Sequence, residues 1–91
     1  MTFVQLEYIV ALDTFRHFAD AAAKCFVTQP TLSMQIIKLE EELGIKIFDR
    51  SKQPALPTDA GVEIIEQARK ILAERDIITE NIAEKKGYCK W

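Results

Sequence analysis

Apolar residues recur at helical spacing in four stretches of this chain, and the breaks between the stretches fall on Pro, Gly and helix-capping residues. Phe3, Leu6, Ile9, Val10 and Phe15 form a stripe over a first helix from about Thr2 to Thr14. His17-Phe18 leads into a short Ala-rich helix, Ala19 to Cys25, which ends at Phe26-Val27. Ala22 and Ala23 are small where two helices would cross closely. In the third stretch Leu32, Ile36, Leu39 and Leu43 fall on one face. Thr28 suits the N-cap, Pro30 the first turn and Gly44 the C-terminal stop. Ile45-Lys46-Ile47-Phe48-Asp49 and Ala55-Leu56-Pro57 then alternate around the polar tip Arg50-Ser51-Lys52-Gln53-Pro54, which predicts a small two-stranded wing. Thr58-Asp59 caps a last helix running to about Lys86, on the order of 40 Å long at ~1.5 Å per residue.

Two surfaces follow from this pattern. A short helix, a tight turn and a longer capped helix make a helix-turn-helix. Opposite the apolar stripe of its second helix lie Pro30, Thr31, Met34 and Lys38, flanked by Gln29, Ser33 and Gln35. Solvated helix faces usually carry Glu and Lys. A face of Gln, Thr and Ser offers uncharged donors and acceptors, as the edges of bases in a DNA major groove do. The last helix is too long to pack wholly on so small a domain. Ile64, Ala68, Ile71, Ile78 and Ile82 follow heptad-like spacing, with Arg75 in the remaining seam position, so the helix is expected to pair with its copy in a second chain.

The 91 residues make one small domain, 48% hydrophobic, with too little chain for a second lobe around a substrate cleft. No apolar run reaches membrane-spanning length and no basic-then-apolar leader opens the chain, so a soluble, cytoplasmic protein is expected. Cys25 and Cys89 are far apart and His17 has no ligating neighbours, so no disulfide framework, metal site or cofactor is expected. Charge argues mildly against a nucleic-acid partner. Residues 1–58 carry six Lys and Arg against seven Asp and Glu, where a domain gripping DNA through its overall field would be basic. Distribution matters more: Lys38, Arg50 and Lys52 flank the polar face, while Glu40, Glu41 and Glu42 come late in the helix. Weak affinity of one copy, compensated by two-fold symmetry, reconciles the two.

The pattern Ala22-Ala23-x-x-Phe26-x-x-Gln29-Pro30-Thr31-Leu32-Ser33-x-Gln35-Ile36-x-x-Leu39-Glu40-x-x-Leu43-Gly44 continues with Phe48-x-Arg50 and Thr58-x-Ala60-Gly61. On these residues the chain, over 1–86, resembles the N-terminal DNA-binding domain and linker helix of a LysR-type transcriptional regulator. Leu6-Glu7-Tyr8-x-Val10-Ala11-Leu12, Arg16-His17-Phe18, Cys25 and Gln29-Pro30-Thr31-Leu32-Ser33 are most similar to its peroxide-responsive, OxyR-like branch. The resemblance implies a mainly α fold with a small β-wing: a winged helix-turn-helix over 1–58, a dimerisation helix over 59–86 and a tail over 87–91. It implies that Gln29, Pro30, Thr31 and Met34 meet bases. Thr28, Ser33, Gln35, Lys38, Arg50, Lys52 and Thr58 match positions at or beside phosphates. The partners implied are double-stranded DNA with a two-fold symmetric operator and a second copy of the chain, with higher oligomers in a full-length regulator. The chain departs from the family at Met34 and Ile37, where polar or basic side chains are common, and at Gln53-Pro54, where further basic residues are. The effector domain that would follow the linker helix, with its peroxide-sensing cysteines, lies outside this sequence.

Plainer readings stand beside these. By spacing alone, Thr28–Lys38 is also an ordinary amphipathic helix. Cys25 reads as a small buried hydrophobe, His17 as a hydrogen-bonding helix boundary, and Glu40–Glu42 as a solvated face, with Glu40 able to orient a basic neighbour. A truncated chain that pairs with full-length regulators and blocks them shares this fold. An enzyme is disfavoured, because no phosphate loop, activated nucleophile, carboxylate pair or metal cluster is visible.

Overall fold

Two residues decide where the first helix begins and ends. The Thr2 hydroxyl accepts the Gln5 backbone N–H while the Gln5 side chain accepts the Thr2 N–H, a reciprocal cap that opens α1 at Phe3. Arg16, at φ 67°, closes α1 after Phe15 with its N–H on the Leu12 carbonyl. The computed structural model describes residues 1–85. In order, α1 (Phe3–Phe15), α2 (Phe18–Lys24) and α3 (Gln29–Leu43) precede a two-stranded antiparallel wing, β1 (Phe48–Asp49) and β2 (Leu56–Pro57), and then α4 (Asp59–Lys85). The expected end of α4 at Lys86, the tail and Cys89 lie outside the described residues.

The core joins Leu6, Ile9 and Leu12 of α1, Ala21 and Ala22 of α2, and Leu32, Ile36 and Leu39 of α3 to Ile47, Phe48 and Ala55 of the wing and Ile65 and Ala68 of α4. Several sequence expectations change at its edges. Phe3 and Phe15 are exposed, because the ends of α1 overrun the core. Ala21, not Ala23, joins Ala22 at the close crossing. Leu43 lies on the correct side of α3, but the last turn extends beyond the buried layer and leaves it exposed. His17 does occupy the boundary before α2, yet its side chain makes no capping bond.

The α4 seam also splits. Toward the core the helix turns Gly61, Ile65, Ala68 and Leu72, with Ile64 and Ile71 half-buried at the margin. Ala68, expected in an interface between chains, is 1% exposed inside its own protomer. The physical reason is α1, whose apolar side lies along the first half of α4 and takes that stripe first. Only Ile78 at 61% and Ile82 at 50% remain open, joined by Ile77.

Gly61 lets α4 approach the wing. A Cβ at this position would lie 2.0 Å from the Ile47 carbonyl oxygen, so the residue must lack one. Charged side chains fasten α4 to α1 further along: Arg69 donates to Asp13 at 2.9 Å and Thr14 at 3.3 Å, and Arg75 donates to Glu7 at 2.9 Å. Among the described residues, no helix is long and apolar enough to cross a membrane.

Candidate nucleic-acid interface

The turn between α2 and α3 sets α3 on the surface. Cys25 and Phe26 donate back to the Ala21 and Ala23 carbonyls, and Val27 to Ala22. Phe26 takes a left-handed φ of 60° and leaves its ring 93% exposed. Thr28 then caps α3: its hydroxyl accepts the Thr31 N–H at 3.3 Å and donates to the Thr31 hydroxyl at 2.9 Å. Thr31 has its own hydroxyl hydrogen to offer outward. With Leu32, Ile36 and Leu39 fully buried, the opposite side presents Gln29, Pro30, Thr31, Met34 and Lys38 to solvent. The four residues expected to meet bases are therefore exposed on one protruding face, and Met34 is 52% accessible. No carboxylate occurs between Thr28 and Lys38.

The flanking residues divide by what their polar atoms already do. Ser33 is half-buried beside Gln29 and Pro30. Gln35 is half-buried too, and its carbonyl oxygen accepts from the Gln5 side chain at 3.2 Å, so only its amide N–H groups are available to an anion. Gln5, absent from the sequence expectations, thus orients a surface residue while capping its own helix. Lys52 is exposed at the wing tip. Thr58 does not behave as expected for a phosphate contact. Its O–H is donated to the Lys46 carbonyl at 2.6 Å, and its oxygen accepts the Gly61 N–H at 3.0 Å. Thr58 is therefore the N-cap of α4, with no O–H left for a phosphate.

Arg50 leaves the wing and returns to α3, where its Nη1 donates to Glu40 at 2.8 Å. Glu40 is 3% exposed and is no part of a solvated run. Its other oxygen accepts the Ile47 and Phe48 backbone N–H groups at 2.7 and 3.2 Å. One buried carboxylate thereby closes the start of the wing and grips the arginine. Its position one turn beyond the core residue Ile36 was the available signal. The Phe18 ring of α2 stands 5.8 Å from the Arg50 guanidinium carbon. Phe18, Gln29, Pro30, Ser33 and Arg50 together line an open pocket of about 490 Å³ where α2, α3 and the wing meet.

Four of the seven acidic groups counted against DNA binding are paired within the protein. Glu40 is buried on Arg50, Glu7 pairs with Arg75, Asp13 with Arg16 and Arg69, and Glu42 with the N-terminal amine. Burial pushes the Cys25 thiol upward, aided by Glu7 and opposed by Lys24, which marks a poor nucleophile. Among the described residues no cluster of His, Cys, Asp or Glu could hold a metal ion.

Residues 3–62 match the bacterial regulatory helix-turn-helix protein family of the LysR type. The chain belongs to the LysR family. Over 85 residues this LysR-family domain is 46% identical to the hydrogen peroxide-inducible genes activator of Pectobacterium carotovorum, and 45% identical to the DNA-binding transcriptional dual regulator OxyR of Escherichia coli. Each alignment covers 93% of this chain and 28% of the relative, so the LysR-family domain spans about 28% of the length of those proteins. Its fold superimposes on full-length OxyR of Pseudomonas aeruginosa with a TM-score of 0.89 at 45% identity, over 92% of this chain and 28% of that one. With the BenM DNA-binding domain, solved in complex with DNA, the TM-score is 0.91 at 35% identity, covering 94% and 97% of the two chains. It is a LysR-type DNA-binding domain with OxyR-like relatives.

Proposed function

We propose that the domain acts as one half of a symmetric pair that reads a two-fold operator for an OxyR-like, peroxide-responsive regulator. The observation that carries this reading is the exposed side of α3, free of carboxylates from Gln29 to Lys38 and held outward by a fully buried stripe. Gln29, Pro30, Thr31 and Met34 meet base edges. A Gln side chain can bond adenine at N6 and N7 together, while Pro, Met and the Thr methyl suit a thymine methyl. Thr28, Ser33, Gln35, Lys38, Arg50 and Lys52 meet phosphates and fix register without reading sequence. Ile78 and Ile82, with Ile77, pair the two copies through the free half of α4. The 45–46% identity to a hydrogen peroxide-inducible activator and to OxyR supports the branch.

Selection of bound DNA from a random pool tests the reading. A motif with two-fold symmetry is expected, and Gln29→Ala should flatten preference at one symmetric pair of positions, worth about 1–3 kcal/mol for each base pair read. Equal weakening on every sequence would demote Gln29 to backbone positioning. Failure to enrich any motif would overturn sequence-specific recognition.

A further inference from the structure

We propose that Glu40 and Phe18 are positioning residues that hold the Arg50 guanidinium as a fixed cation for a DNA phosphate at the junction of α3 and the wing. The inference rests on the DNA-binding reading above and deepens it. Neither residue lies on the reading face, and one of them is an acid, so composition alone would count it against DNA.

An ion pair serving only the fold would be expected to use both edges of the arginine fork. Here it cannot. One Glu40 oxygen is committed to the Ile47 and Phe48 N–H groups, so the carboxylate has only its second oxygen for Arg50 Nη1. Arg50 Nε and Nη2 are shielded from water with no hydrogen-bond partner. Donors left unsatisfied on a charged group are unfavourable, and an oxygen-rich anion is the ligand that relieves them. The guanidinium is nevertheless kept in place, gripped at one end by a buried carboxylate and covered by the Phe18 ring at 5.8 Å. Arg50 also forms a wall of the pocket shared with Gln29, Pro30 and Ser33, beside the base-reading turn of α3, and no carboxylate lines that pocket. A phosphate seated there meets an arginine whose rotamers are already fixed by Glu40 and the Phe18 ring and whose side chain keeps 29% of its surface exposed.

Glu40→Gln is the informative variant, because two effects give it opposite signs. The amide oxygen can still accept the Ile47 and Phe48 N–H groups, while the amide nitrogen faces Arg50 Nη1, donor against donor. Removing a negative charge near DNA should by field alone tighten binding. Releasing Arg50 should loosen it. Fluorescence anisotropy on selected operator DNA, over a salt series, is expected to show about tenfold weaker binding. The salt slope should fall by about 0.9 for each phosphate that Arg50 no longer neutralises. Phe18→Leu, which keeps apolar bulk without a ring face, should move both quantities the same way. Glu40→Gln combined with Arg50→Ala should be no weaker than Arg50→Ala alone, a coupling that a merely structural role would not produce.

Wild-type affinity and slope in Glu40→Gln, or tighter binding, overturns the proposal. So do additive losses in the double variant. If Glu40→Gln does not fold, unchanged affinity and slope in Phe18→Leu overturn it instead. Wild-type protein that selects no DNA overturns the parent reading and this one with it; wild-type binding with indifferent variants overturns this one alone.

Discussion

Replacing Gly61 with Ala sets helix propensity against steric fit within the first turn of α4. On propensity alone the change should help, since Ala is favoured over Gly in a helix by ~1 kcal/mol. The structure reverses the sign. The new methyl would sit 2.0 Å from the Ile47 carbonyl oxygen and 2.9 Å from its carbon, so backbone must move. Ile47 has little room to do so. Its side chain is fully buried, its N–H is held by Glu40 at 2.7 Å, and its carbonyl accepts the Thr58 N–H at 2.9 Å. Overpacking at such a site costs about 1–3 kcal/mol. Losing the Thr58 bond adds ~1 kcal/mol, more if the carbonyl is left unpaired. After the propensity gain, the net loss is about 2 kcal/mol. For a domain this size that lowers the melting temperature by roughly 8–16 °C. Thermal unfolding followed by far-ultraviolet circular dichroism measures it directly. A melting temperature equal to or above wild type would refute the close-approach argument and leave propensity as the better account.

Other positions give equally definite expectations. Ile78→Asp should halve the mass seen by light scattering and leave the core's melting unchanged, whereas Ile71→Asp should also lower melting because Ile71 packs on its own protomer; a wild-type monomer would refute pairing through α4. Phe26→Asn should raise stability by about 0.5–1 kcal/mol in chemical denaturation, since Asn tolerates the left-handed backbone and the 93% exposed ring contributes little to the core; a loss of stability would assign the ring a packing role. The Ser51 hydroxyl and backbone N–H hold the Asp49 carboxyl below its ordinary range. That contribution is complete above the ordinary aspartate value and is lost as pH falls through the lower folded value. Ser51→Ala should therefore raise the Asp49 midpoint in an NMR carboxyl titration, and an unmoved midpoint would discount the hydroxyl.

The exposed face of α3 was legible because it is local. Spacing put Leu32, Ile36 and Leu39 on one side of α3, and the chain turned that side inward, which left Gln29, Thr31 and Met34 outside. What a helix packs against was less legible. The repeat from Ile64 to Ile82 looks uniform in one dimension, yet α1 covers its first half and not its second. Periodicity reports that a stripe will be buried, and which neighbour buries it depends on the tertiary arrangement. Glu40 shows the same gap for polar groups. Within Glu40-Glu41-Glu42 the three are chemically alike, and one turns inward because the wing brings two backbone N–H groups and an arginine to that side of the helix. Thr58 carried two expectations, the cap of α4 and a place at or beside a phosphate, and its hydroxyl is used for the first. Burial of a carboxylate becomes visible only when distant segments meet.

The arginines that bind α4 to α1 make a stiff lever of the whole assembly. Because Arg69 and Arg75 anchor to Asp13 and Glu7 nearly two turns apart, beside the buried packing of α1 on α4, tilting the far end of the rod tilts the rest of the domain with it. From Ala68 to Ile82 the arm is ~20 Å, so a 10° swing carries its tip through roughly 3.5 Å. If two copies pair through that exposed tip, as proposed, a change in the angle between the rods is passed directly to the orientation of α3 in each copy.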